Sequence, residues 1–176
     1  MTITPHLFEA YLKCPTKCFL RAHGEAGTGN EYADWVRTQN ADYEREAIQF
    51  LQQGTKGNEC VSGTLTLVKP KSANWRLGQD LTVRADGLQS TIHAVERMPP
   101  QGRGNPARFI PIRFITTNKL TRDDKLLLAF DALAFAESTG HRVDAGKIIH
   151  GDDHTACTVK TAALTNSKRR KRLMQP

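Results

Sequence analysis

Long apolar runs are missing from this chain of 176 residues: no stretch approaches the ~20 consecutive hydrophobic residues that span a bilayer. The opening Met1-Thr2-Ile3-Thr4-Pro5-His6 has neither a basic region nor an apolar core, so no signal peptide is visible. A cytoplasmic location without membrane contact is expected. Cysteine is scarce too. Cys14, Cys18, Cys60 and Cys157 are too few and too scattered for the disulfide framework of a small secreted domain. Cys14 and Cys18 form a C-x3-C pair, half of a metal site, but no second close pair follows, and structural zinc is usually closed by four ligands. Small core residues are the expectation for both.

Acid is absent from the C-terminal end. Residues 160–176 hold six cations and no carboxylate, whereas the preceding residues hold 19 basic against 18 acidic groups. The net charge of +7 is therefore a nearly neutral body of +1 followed by a basic arm. A globally cationic nucleic-acid binder is not supported by that distribution; a local phosphate contact through Lys168, Arg169, Arg170, Lys171 and Arg172 is. The chain divides into one domain over residues 1–160 and a tail over residues 161–176.

What is present is clearest between residues 108 and 151. Phe109-Ile110-Pro111-Ile112-Arg113-Phe114-Ile115 is a short run of β-formers. Residues 123–137 then repeat apolar side chains at three- and four-residue spacing, with Thr121 as N-cap, Asp123 and Asp124 in the first turn, and Gly140 as the stop. Gly146-Lys147-Ile148-Ile149-His150-Gly151 is a second strand. Strand, long helix and strand make a crossover unit, the connection that parallel strands need.

Around this unit, residues 7–14 read as a short amphipathic helix after Pro5, ended near Pro15, with residues 17–23 as its continuation. Residues 24–30 form a glycine-rich loop, and residues 31–53 the longest helix, with Tyr32, Trp35, Val36, Tyr43, Ala47, Ile48 and Leu51 as its core-facing stripe. From Glu59 the period shifts to two: strands are expected from Val61, over residues 81–85 and over residues 91–98, with a break at Asp86-Gly87. Residues 99–106 are a loop carrying Arg103, and residues 155–160 one more strand.

The stretches Tyr11-Leu12-Lys13-Cys14-Pro15-Thr16-Lys17-Cys18, Ala85-Asp86-Gly87, residues 125–135 and residues 146–151 together resemble the RecB-like nucleases, the branch that includes CRISPR-associated Cas exonucleases. The match in order and spacing runs from about Thr4 to Lys160. It implies an α/β fold with a restriction-endonuclease-like PD-(D/E)XK core: an α-β-β-β-α-β order and a central mixed sheet flanked by helices. It also implies DNA as partner, in DNA processing, repair or CRISPR-type defence, alongside a helicase or nuclease partner protein. Cleavage would use Mg²⁺ held by carboxylates, with a lysine steadying the phosphate.

The resemblance places the first metal-binding carboxylate at Asp86, although an Asp-Gly pair also suits a plain turn. Departures follow. The next core strand should present Glu-x-Lys on one face, but Ile112 and Phe114 occupy those positions, Arg113 points to the other face, and no glutamate lies between Arg97 and Ala136. Glu96, Glu44 or Glu46 could lend a second ligand, and Lys119 a displaced positive charge; each acid also reads as a solvated surface group. The helix pattern Gln and Tyr, four apart, is replaced by Leu127 and Asp131; Asp131 reads as a buried partner for an arginine or lysine, or as a relocated ligand. Relatives with an iron–sulfur cluster use four cysteines, and Cys14 alone matches, so no cluster is expected. The expected function is a catalytically degenerate nuclease-fold module that binds nucleic acid or docks on a partner. The alternative is an active Mg²⁺-dependent DNA nuclease with a relocated site of Asp86, an acid and Lys119.

Overall fold

The computed structural model describes residues 1–25, 27, 29–55, 57–64, 75–100 and 107–164. Thr4 caps helix α1 (Pro5–Lys13), its hydroxyl accepting the Leu7 N–H at 3.3 Å. Cys14 is extended and Pro15 follows, so α1 ends beside Pro15 as expected, and the chain restarts as a separate helix α2 (Pro15–Ala22) rather than continuing the first. Helix α3 (Glu31–Gln52) is capped by Asn30, whose Oδ1 accepts the Ala33 N–H at 2.7 Å. The described strands are β1 (Cys60–Thr64), β2 (Leu77–Ala85), β3 (Leu88–Met98), β4 (Arg108–Ile115), β5 (Ala145–His150) and β6 (Thr155–Lys160), with α4 (Arg122–Thr139) between β4 and β5.

The strands form one mixed sheet in sequence order, β1-β2-β3-β4-β5-β6. β2, β3 and β4 are an antiparallel meander; α4 then crosses over to bring β5 parallel to β4, and β6 returns antiparallel. α4 starts at the expected N-cap Thr121, which forms a full capping box with Asp124, and ends at Gly140 with φ 70°, a left-handed cap that glycine adopts without strain.

Each face of the sheet is covered by a helix. On one face Tyr43, Ala47, Ile48 and Leu51 of α3 pack with Leu77, Ala94, Ile112, Phe114 and Ile149. On the other, α4 meets Leu81, Val83, Leu88, Ile92, Val95 and Phe109 through Phe130, Leu133 and Phe135, and meets Ile148 through Leu128. α4 is buried around most of its circumference because α1 lies over it as well, with Phe8 stacked on Phe130 at 5.3 Å. Each such side chain, fully removed from water, contributes about 1.5–3 kcal/mol.

Two core assignments are corrected. Tyr32 and Trp35 are 72% and 58% exposed, because only the C-terminal half of α3 reaches the sheet; they stack on each other at 6.0 Å. Cys14 is exposed and Cys18 half-buried, so neither fills the core. β2 also begins four residues before the expected Leu81.

Candidate functional site

The sheet breaks its own alternation at one place. Leu77 faces α3 while Leu81, four residues on, faces α4; Ala94 and Ile92 of β3 divide the same way. A regular strand would keep residues two or four apart on one side. The switch falls at Asp80, whose φ of 48° is left-handed, and at His93, which stands opposite it between the paired Gln79↔Ala94 and Leu81↔Ile92. Aspartate tolerates this conformation better than most residues.

The β3–β4 ladder ends just there, at Ala94↔Ile112. The Phe114 N–H donates to His93 Nδ1 at 3.1 Å. Nδ1 is thus an acceptor, so the proton of the neutral ring is on Nε2, which faces Glu44 Oε1 of α3 at 3.6 Å. Burial, with the charge of Arg113 second, pushes His93 down to about 3. The ring is neutral at physiological pH, and its approach to Glu44 is neither an ion pair nor, at this distance, a hydrogen bond. Burial, then Asp80, raises Glu44, while Arg113 opposes them.

Behind His93, on the α4 side, lies a closed polar triad. Asp131 is fully buried and accepts from Arg113 Nε at 2.9 Å and Nη2 at 2.8 Å, both on Oδ2, while Ser90 Oγ donates to Oδ1 at 2.6 Å. Burial raises the Asp131 carboxyl; the guanidinium and the hydroxyl act against it. The structure thus gives Asp131 the arginine partner expected of a buried acid.

Glu44 is the one sequence-selected site residue brought into this cluster. Asp86 occupies the tight turn between Ala85 and Leu88, seven positions from His93, or roughly 20 Å along an extended strand. Glu96 is ion-paired with Lys147 Nζ at 2.5 Å, so it is an interstrand partner rather than a freely solvated acid. Lys119 is exposed between β4 and α4, its carbonyl accepting from the Thr117 hydroxyl at 3.2 Å. Ile112 and Phe114 are buried facing α3, and Arg113 faces the opposite side. Arg103 and the cations at 168–172 lie outside the described residues.

Sequence reasoning missed His93 and Asp80. Nothing marks a lone histidine in a strand, and Asp80 precedes the residue at which β2 was expected to begin. Chemically the cluster is quiet. His93 spends its lone pair on an amide, which leaves Glu44 as the half-exposed proton acceptor beside it. Among the described residues no group of three or more His, Cys, Asp or Glu side chains is placed to hold a metal ion. Cys60 and Cys157 are on β1 and β6, the two edge strands, and Cys14 caps α2.

Fold and site define an α/β protein with a helix-covered mixed sheet and a partly buried acid–imidazole–guanidinium cluster at a break in that sheet. No described helix is long and apolar enough to cross a membrane. No family model and no curated protein matches the chain. Among solved structures it is similar to the one described as the crystal structure of SSO0001, at 13% identity and a TM-score of 0.42, over 99% of this chain and 77% of that one.

Proposed function

We propose that the chain is a RecB-like nuclease-fold module that binds nucleic acid and does not hydrolyse it efficiently. The observation that carries this reading is on β4. The two positions where the resemblance calls for a metal-binding acid and a phosphate-steadying lysine are Ile112 and Phe114, buried at 0% and 4% exposure against α3. Hydrocarbon cannot ligate Mg²⁺ or neutralise a pentavalent phosphate. The antiparallel meander β2-β3-β4 and the helical crossover through α4 to a parallel β5 support the PD-(D/E)XK reading of the scaffold, with β1 as a further strand between α3 and β2.

A magnesium cage does not fit the residues present. Asp86 is alone in its hairpin turn, and Glu96 is engaged by Lys147. Non-additivity matters here, because loss of one member of a catalytic set removes most of the rate, and two are replaced on a single strand. The alternative, an active enzyme with a relocated centre of Asp86, an acid and Lys119, has Glu44 as its half-exposed acid, raised by burial and then by the charge of Asp80.

Both readings meet in one experiment. Purified protein is incubated with labelled single- and double-stranded DNA in Mg²⁺ or Mn²⁺, beside Asp86→Ala and Glu44→Gln. The expected result is retention of DNA in a gel-shift assay with no cleavage. Cleavage abolished by Asp86→Ala or Glu44→Gln overturns the inactive reading, and absence of any binding removes the nucleic-acid module.

A further inference from the structure

Two buried N–H donors beside the last turns of β3 have no acceptor. Trp75 is 2% exposed and its indole Nε1 meets no hydrogen-bond partner; the Nε of Arg97 is buried in the same condition. The two residues are neighbours. Arg97 Nη1 donates to the Trp75 carbonyl at 3.4 Å, and Phe109, directly opposite Arg97 in the β3–β4 ladder, has its ring 5.8 Å from that of Trp75. Buried polar groups are nearly always paired, because an unpaired one gives up its bonds to water without replacement.

Arg97 is also a cation without a counter-charge. Among the described residues no carboxylate pairs with it: Glu59 is held by Arg76 at 3.6 Å, Glu96 by Lys147 at 2.5 Å and Asp144 by Arg142 at 2.6 Å. The ionisable ring packed on Phe109, His141 at 4.7 Å, brings no negative charge either. The contrast with Arg113 is direct, since Arg113 presents Nε and Nη2 together to the Asp131 carboxylate. In Arg97 the same edge remains once Nη1 is engaged on the Trp75 carbonyl, and no acceptor among the described residues meets it. That edge matches a carboxylate or a phosphate through two parallel bonds. A third donor, Trp75 Nε1, calls for one oxygen more than a carboxylate has, and a phosphate supplies it. Arg97 is half-exposed, so an ion reaches the guanidinium from solvent.

We infer that Arg97 and Trp75 hold a phosphate group, either the free ion or the terminal group of a mononucleotide, at the end of the sheet remote from Asp86. Asp86 turns the β2–β3 hairpin, and Arg97 stands eleven positions further on, roughly 35 Å along an extended strand. Such a site is independent of the nucleic-acid reading above.

The test uses the full chain carrying Trp35→Phe, which removes an exposed ring and leaves Trp75 as the single tryptophan. Its emission is followed as inorganic phosphate or adenosine monophosphate is added, against sodium chloride of equal ionic strength. A saturable change with phosphate and none with chloride is expected. Tighter binding of adenosine monophosphate identifies a terminal phosphate as the ligand; equal or weaker binding identifies the free ion. Arg97→Gln should weaken binding about 10- to 100-fold, the effect of losing a charge-assisted hydrogen bond. Arg97→Lys keeps the charge and loses the fork, so it should fall between the two, and it serves alone if Arg97→Gln does not fold. Trp75→Phe keeps an aromatic filler and removes the donor, so it should reduce the rise in melting temperature that phosphate gives the wild type. No saturable change up to about 10 mM, where a site of millimolar Kd is nearly full, overturns the site. A response that the Arg97 variants or Trp75→Phe leave unchanged overturns it as well.

Discussion

Asp131 and His93 show how single residues fix the centre of this molecule. Arg113 is always cationic, so its burial is tolerable only while the Asp131 carboxylate faces it. Asp131→Asn should therefore destabilise the fold by about 3–5 kcal/mol in urea unfolding, the usual result of stranding one buried charge. Replacing both partners with hydrocarbon, Asp131→Leu with Arg113→Met, should recover most of that loss. A single substitution costing under about 1 kcal/mol would mean that the guanidinium reaches water.

His93 makes an acid-side prediction with a definite sign. The unfolded chain takes up a proton near the ordinary histidine value of 6.5, whereas the folded chain resists until about 3. Stability is thus complete above 6.5 and falls on acidification by about 1.4 kcal/mol per pH unit across that window. Glu44 and Asp131 are raised by burial and act in the opposite sense at lower pH, while Asp80 and Arg113 complete the charges around the ring. The measurement is accordingly a difference. His93→Gln keeps an acceptor for the Phe114 N–H, and its stability should fall less steeply than wild type between pH 6.5 and 5.

At the scale of elements, α4 lies close against the β4–β5 pair. A Cβ built on Gly146 would lie 2.9 Å from the Pro111 carbonyl oxygen and 3.0 Å from both Leu128 methyls. Gly146→Ala should cost about 1–3 kcal/mol as overpacking, read by thermal or urea unfolding. An unchanged stability would show that the helix can shift outward. This crossover was also the most legible part of the sequence: Thr121, Asp124 and Gly140 mark both helix ends by local chemistry, and β4 and β5 are short runs rich in apolar β-formers. What was not legible depended on distance. The Tyr32 and Trp35 stripe follows helical periodicity whether or not a sheet lies beneath it, and only the reach of the sheet decides that it does not. The Asp80 and His93 break leaves no pattern either, because it arises from two strands changing face together.

At the scale of the whole molecule, the protein pairs a nearly neutral body with a cationic end, and that division has a measurable consequence. Five cations at 168–172 could displace about five counterions from duplex DNA, which corresponds to a log–log salt slope near −4.5. Such a contact is blind to sequence, because it reads phosphate rather than base edges. Deleting residues 167–176 should therefore reduce duplex affinity, flatten the slope toward zero and leave melting of the body unchanged. A deletion variant with the wild-type slope would place the duplex contact on the body instead.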